Sequence, residues 1–147
     1  AFDIWKNTPH AHAFESLDPS FQRKGFERLR GVNKSFDPEC IACHVTGWDP
    51  EEYLRYEGGF INEEFAADDA EKLLQGMLAG NQCENCHGPG SRHVELIEAD
   101  NKEAAINEVK VSLTQVEQTC VKCHDGDNSP NFKFEKYWED VKHYGKD

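Results

Sequence analysis

All six cysteines of the chain fall into three copies of one pentapeptide pattern: Cys40-Ile-Ala-Cys43-His44, Cys83-Glu-Asn-Cys86-His87 and Cys120-Val-Lys-Cys123-His124. Chance placement at this composition gives about 0.01 copies, so the repetition is a requirement of the molecule and leaves no cysteine for another duty. Cysteines at i and i+3 share one face of a helical turn, and a histidine at i+4 lies beside them. Two thiols so placed can form thioethers to the two vinyl groups of one porphyrin, with the histidine beneath the ring centre as proximal iron ligand. That is the attachment chemistry of c-type haem. Zinc fits less well, because three Cys-Cys-His triplets divide poorly into tetrahedra. A disulfide across two intervening residues is strained, and a redox dithiol belongs in a βαβ pattern that is absent here. The pattern predicts three haem c groups, with thioethers from Cys40, Cys43, Cys83, Cys86, Cys120 and Cys123 and proximal iron ligands His44, His87 and His124.

Only 37% of the 147 residues are apolar and 30% are charged, so a core of side chains alone would be thin. Three haems leave 49 residues for each macrocycle, which makes the haems a major part of the interior. The expected fold is mainly α with much irregular loop: short helices wrapped around a packed array of three covalent haems, residues 1–147 forming a single domain. The motifs recur at offsets of 43 and 37 residues, too irregular for a solenoid. The 28 acids against 16 bases give a net charge of −12, which argues against nucleic acid or an anionic lipid surface as partner. No stretch resembles a membrane span or a signal peptide. Because haem is attached outside the bacterial cytoplasmic membrane, the expected location is periplasmic or extracellular, the sequence being a mature form.

End signals predict four helices. Asp18-Pro19 opens one that runs to Gly31; Asp68 or Asp69 caps another carrying Leu73, Leu74, Met77 and Leu78, closed by Gly80. Thr114 and Glu117 read as a capping box, so the third motif should ride on a helix ending near Gly126, and Phe134 to Tyr144 reads as a last helix. The rest is loop-like, including Val45 to Asn62 and the turn formers Asp125 to Asn131, with one short hairpin conceivable near Tyr53 to Ile61.

Beyond the three proximal histidines stand His10, His12, His93 and His143, and one methionine, Met77, which reads as core filler on its helix. Three sixth ligands are needed and four histidines are at hand, so every haem can be bis-histidine. His93 follows His87 by six residues across Gly88-Pro89-Gly90. So short a connection with a tight turn could hardly reach round a macrocycle, so His93 should serve a neighbouring haem and couple two centres.

The strings WKNTPHAHAFESL, CIACHVTGW, YEGGF, NQCENCHGPGSRHVE and FEKYWEDVKHYGKD resemble the multihaem family typified by cytochrome c-554, from Trp5 to about Lys146. The resemblance implies a small multihaem cytochrome c fold, with His10, His93 and His143 as distal iron ligands. It leaves His12 at a variable position, as an alternative distal or inter-subunit ligand. The family's pattern has a further C-x-x-C-H just upstream of the tryptophan segment, whereas this sequence starts at Ala1: either a haem-bearing N-terminal segment is missing from it or this is a natural three-haem version, and His10 is open to pairing within its chain or with a neighbour. The implied function is electron transfer, by a carrier that exchanges electrons with redox partner proteins or an extracellular acceptor. A homopolymer with inter-subunit haem ligation, forming a conductive filament, is compatible with the spare histidines. The competing reading is an enzyme with one open distal face acting on a small nitrogen or sulfur compound, with His12 or Arg92 as proton donor. Phe14, Trp48, Phe60 and Trp138 read as haem-packing side chains.

Overall fold

The computed structural model describes residues 1–21, 31–47 and 60–143. The chain divides into two compact units, one made of residues 1–82 and 138–147, the other of residues 83–137. Among the described residues the secondary structure is helical: α1 (Phe2–Trp5), α2 (Pro38–His44), α3 (Glu63–Ala66), α4 (Asp69–Leu78), α5 (Cys83–His87), α6 (Ser91–Glu98), α7 (Lys102–Glu108), α8 (Leu113–Cys120) and α9 (Phe134–Val141), with a 3-10 turn at Phe14–Leu17. The mainly α, loop-rich fold expected from the sequence is what the molecule has. The sole extended pairing among the described residues is an isolated bridge between Val45 and Ala79.

In the first unit, α2 begins where Asp37 accepts the backbone N–H of Glu39 and Pro38 occupies the first turn, a position that needs no N–H donor. The helix buries Ile41 completely, and Ile41 packs with Val45, Leu17 and Phe60, flanked by Phe14 and Leu78. Phe14 meets Phe60 edge to face at 5.4 Å. The chain leaving α2 is fastened to the segment after α4: Thr46 N–H donates to Leu78 (2.8 Å), Gly80 N–H to His44 (3.0 Å) and the buried Thr46 hydroxyl to the Gly80 carbonyl (2.7 Å). The N-terminal segment closes on the same place. Trp5 Nε1 donates to Asn81 O (2.7 Å), Asn81 N–H to His10 O (2.9 Å) and Asn81 Nδ2 to Cys43 O (2.6 Å). Gly80 sits at φ +83°, and a Cβ there would stand 2.6 Å from Ala11 O. Only glycine meets both conditions.

The Asp68 cap forms as expected, its carboxylate accepting from Ala70 and Glu71, and α4 stops before Gly80. The body of the helix expected from Asp18 to Gly31 lies outside the described residues, as do the greater part of the hairpin near Tyr53, Trp48 and Tyr144.

In the second unit the capping box belongs to Ser112 and Gln115, two residues before the expected pair; the Ser112–Gln115 spacing satisfies the same rule. The helix ends at Cys120 instead of near Gly126, because Lys122 and Cys123 donate to carbonyls three residues back and the ladder tightens into turns. His124 N–H still reaches Cys120 O at 2.9 Å, so the i, i+3, i+4 geometry of the motif survives.

Sequence reading treated residues 91–108 as loop, and they form the α6–α7 helical hairpin. Its connection is a Schellman motif: Asn101 N–H donates to Leu96 O and Asp100 N–H to Ile97 O, with Asp100 at φ +54°. The usual glycine signal is missing because Asp tolerates the left-handed region there. Asn101 then caps α7 through Ala104 N–H. Ala105 is fully buried at the helix pair.

Candidate functional site

No two of the six cysteines are joined by a disulfide, and no cluster of His, Cys, Asp and Glu among the described residues forms a metal-ion cage. Cys40, Cys43 and His44 all lie on α2, and Cys83, Cys86 and His87 lie on α5, which begins and ends with the motif. Burial pushes the Cys40 and Cys120 thiols up, the reverse of what a reactive dithiol needs. In the second unit α5 packs on α8, which brings Cys86 within electrostatic reach of Cys120.

Three of the histidines are anchored alike. His44 Nδ1 donates to the carbonyl of Ala13 (2.6 Å), His87 Nδ1 to that of Val109 (2.7 Å) and His93 Nδ1 to that of Ala105 (2.8 Å). A carbonyl can only accept, so each ring carries a proton on Nδ1, and in the neutral form its lone pair lies on Nε2, the tautomer an iron ligand requires. Ser16 Oγ stands 3.2 Å from the same His44 nitrogen. His124 Nδ1 meets the Ser129 hydroxyl at 3.1 Å, and its ring stacks on Phe132 with centroids 4.6 Å apart. His143, two residues past α9, has Nδ1 3.1 Å from Val141 O. Burial lowers the proton affinity of His44 and of His124, which favours the neutral imidazole in both.

His10 presents its carbonyl to the N–H groups of Ala13 and Asn81. His10, His44, His87, His93, His124 and His143 are all half-buried, whereas His12 is exposed. His12 Nδ1 bonds the Glu15 carboxylate (2.9 Å) and Nε2 the Lys6 carbonyl (3.2 Å). Two acceptors favour its protonated form, with the Glu15 hydrogen bond as the main cause of its raised proton affinity. His12 shares the first unit with His10, His44 and His143, and His87, His93 and His124 belong to the second.

The turn between His87 and His93 is built to hold its shape. Gly88 takes φ +78°, and the Glu84 carboxylate accepts the Gly90 N–H at 2.7 Å, directly before α6. The two carbonyls that receive His87 and His93 belong to Val109 and Ala105, one helical turn apart along α7 and its C-terminal cap.

The family of cytochrome c554 and c-prime matches residues 1–88. The chain belongs to the cytochrome c554 family. The match takes in the first two Cys-x-x-Cys-His motifs and His10, and the third motif, His93 and His143 lie beyond it. Cytochrome c-554 of Nitrosomonas europaea is 33% identical over 89 residues, 58% of this chain and 32% of that protein, so the matched region spans about a third of the relative's length. No solved structure matches. Membership makes this a c-type cytochrome with covalent haem, and the donor set fits that group: cysteine pairs without disulfides, on helices or at a helix end, each followed by a histidine held by its Nδ1. No helix among the described residues is long and apolar enough to cross a membrane.

Sequence reasoning missed the groups that aim the histidines. Ala13, Val109 and Ala105 act through main-chain oxygens, which every residue type carries, so no side-chain signal announces them. Ser129, a side chain five residues past His124, was the one within reach of inspection.

Proposed function

We propose that the chain transfers electrons through three covalently attached haems, each with histidine at both axial positions. Cys40, Cys43 and His44 hold the first, Cys83, Cys86 and His87 the second, and Cys120, Cys123 and His124 the third; His10, His93 and His143 supply the sixth ligands. The observation that carries this reading is the shared Nδ1 anchoring of His44, His87 and His93 on main-chain carbonyls, which points a lone pair outward from each Nε2. Bound haem iron supplies a one-electron ferric–ferrous couple. The residues of the chain hold the macrocycles, fix the imidazole tautomers and fill the axial positions against small molecules.

His87 and His93 lean on carbonyls one turn apart, so their rings leave the same side of α7. That supports two separate irons and makes CENCHGPGSRH a junction between haems. The half-burial of His10 and the exposure of His12, whose two nitrogens already have partners, favour His10 as ligand. Residues 1–147 act in this reading as one three-haem domain, a periplasmic or extracellular carrier whose partners are redox proteins or an extracellular acceptor.

Haem content by mass and pyridine haemochrome, with spin state and carbon monoxide response, tests the proposal. Three haems, all low-spin and inert to carbon monoxide, are expected, and His93→Ala should convert one haem to high spin. A native high-spin haem that binds carbon monoxide would overturn bis-histidine ligation in favour of an enzyme acting on a small nitrogen or sulfur compound. Filaments by negative-stain microscopy would extend the carrier to a conductive homopolymer with inter-subunit ligation, and a monodisperse monomer would confine it to a discrete carrier.

A further inference from the structure

The three histidines that follow the cysteine pairs are not backed alike. His44 and His87 donate to main-chain carbonyls at 2.6 and 2.7 Å. His124 meets a side-chain hydroxyl, Ser129 Oγ, at 3.1 Å. The loop that presents Ser129 is fixed at both ends. The Asp125 carboxylate accepts the N–H groups of Asp127 and Asn128 and the Asn128 side-chain amide. Ser129 N–H donates to Asp125 O and Phe132 N–H to Ser129 O, both at 2.9 Å. Phe132 lies nearly parallel to the His124 ring, 13° between planes, and Tyr137 packs on both rings. Ring orientation and hydroxyl position are therefore set together.

An imidazole whose Nε2 binds iron keeps its proton on Nδ1, so Ser129 Oγ must accept. The stronger that acceptor, the more electron density reaches Nε2, the better the ferric state is stabilised and the lower the potential. A hydroxyl at 3.1 Å accepts less strongly than a peptide carbonyl at 2.6 or 2.7 Å.

We propose that Ser129 sets the donor strength of His124 and holds the third haem at a higher reduction potential than a carbonyl-backed histidine would. Ser129 is a positioning residue acting through His124. This inference rests on the three-haem reading above.

Redox titration of the haem-loaded protein, with haem content measured in parallel, tests it on three variants. Ser129→Asp supplies a stronger acceptor and should lower one of the three midpoints by at least tenfold in its one-electron equilibrium constant, about 59 mV. Ser129→Ala should move the same midpoint upward, and Ser129→Thr, which keeps the hydroxyl, should restore it. If Ser129→Ala fails to take up haem, the Asp and Thr variants still decide. Three haems with no midpoint moved in Ser129→Asp, or all three moved together, would overturn the role of Ser129. A wild-type haem count other than three would instead sink the reading beneath it, before any variant is made.

Discussion

The same pentapeptide is embedded in very different surroundings in the two units. Around the first motif the polypeptide supplies its own core: Ile41 and Val45 are fully buried, with Leu17 and Phe60 nearly so. The unit of residues 83–137 carries two motifs, yet its buried hydrophobics among the described residues are Ala105 and Val116. Val94, Ile97, Ile106, Leu113 and Val121, all on or beside its helices, are about half exposed. A helix turned apolar side outward must find its partner elsewhere. The contrast teaches that a haem-binding motif brings no core with it. In one unit protein side chains stabilise the helix that carries it; in the other few buried side chains do, and the proposed haems would take their place.

Removing the motif cysteines of the second unit, and with them the proposed haems, is the sharpest way to break this contrast. With Cys83, Cys86, Cys120 and Cys123 all changed to alanine, hydrogen exchange across residues 83–137 should rise to that of an unfolded chain, while the amides of α2 keep measurable protection. The comparison fails if both units lose protection together. Next in size is Ile41→Ala, which empties a site with no solvent exposure and should cost about 2–5 kcal/mol in denaturant unfolding.

Those residues also show what the sequence could and could not disclose. The attachment motifs were legible because a covalent geometry demands particular side chains at fixed spacing. The α4 cap at Asp68 was legible for the same kind of reason, as its carboxylate alone can serve Ala70 and Glu71. The α6–α7 hairpin was not, because its Schellman turn uses Asp100 in place of glycine and its helices keep few buried apolar positions to set a period. Asp37-Pro38 carries the same signal as Asp18-Pro19 and opens α2, so that start is readable in the sequence. The aiming of the histidines was beyond reading, since Ala13, Ala105 and Val109 contribute only peptide oxygens brought close by folding.

A smaller effect is expected at Gly80, where the N-terminal segment meets the first motif. Gly80→Ala would force an L residue into φ +83° and set its Cβ against Ala11 O, costing about 1–3 kcal/mol. Because His10 O is 3.1 Å from the same Cβ position, the strain falls on the segment of a proposed ligand. Electron paramagnetic resonance should then find one haem partly high-spin, whereas an unchanged low-spin spectrum would remove Gly80 from the ligand's support.

The smallest expected difference lies between two helix caps, and pH separates them. Asp37 caps α2, and its hydrogen bond with Lys34 is the main reason its carboxyl is held below the usual range. Ser112 and Gln115 cap α8 with no ionisable group. Asp37→Ala and Ser112→Ala should each cost about 1 kcal/mol at neutral pH. A carboxyl depressed in the folded state stabilises above its unfolded value, about 3.9, and that contribution is lost as pH falls through the folded value. The gap between wild type and Asp37→Ala should therefore shrink as pH drops below about 4, while the gap for Ser112→Ala stays constant. Denaturant midpoints at neutral and acid pH would read this directly, and a pH-independent Asp37 gap would mean that the cap works through its geometry and not its charge.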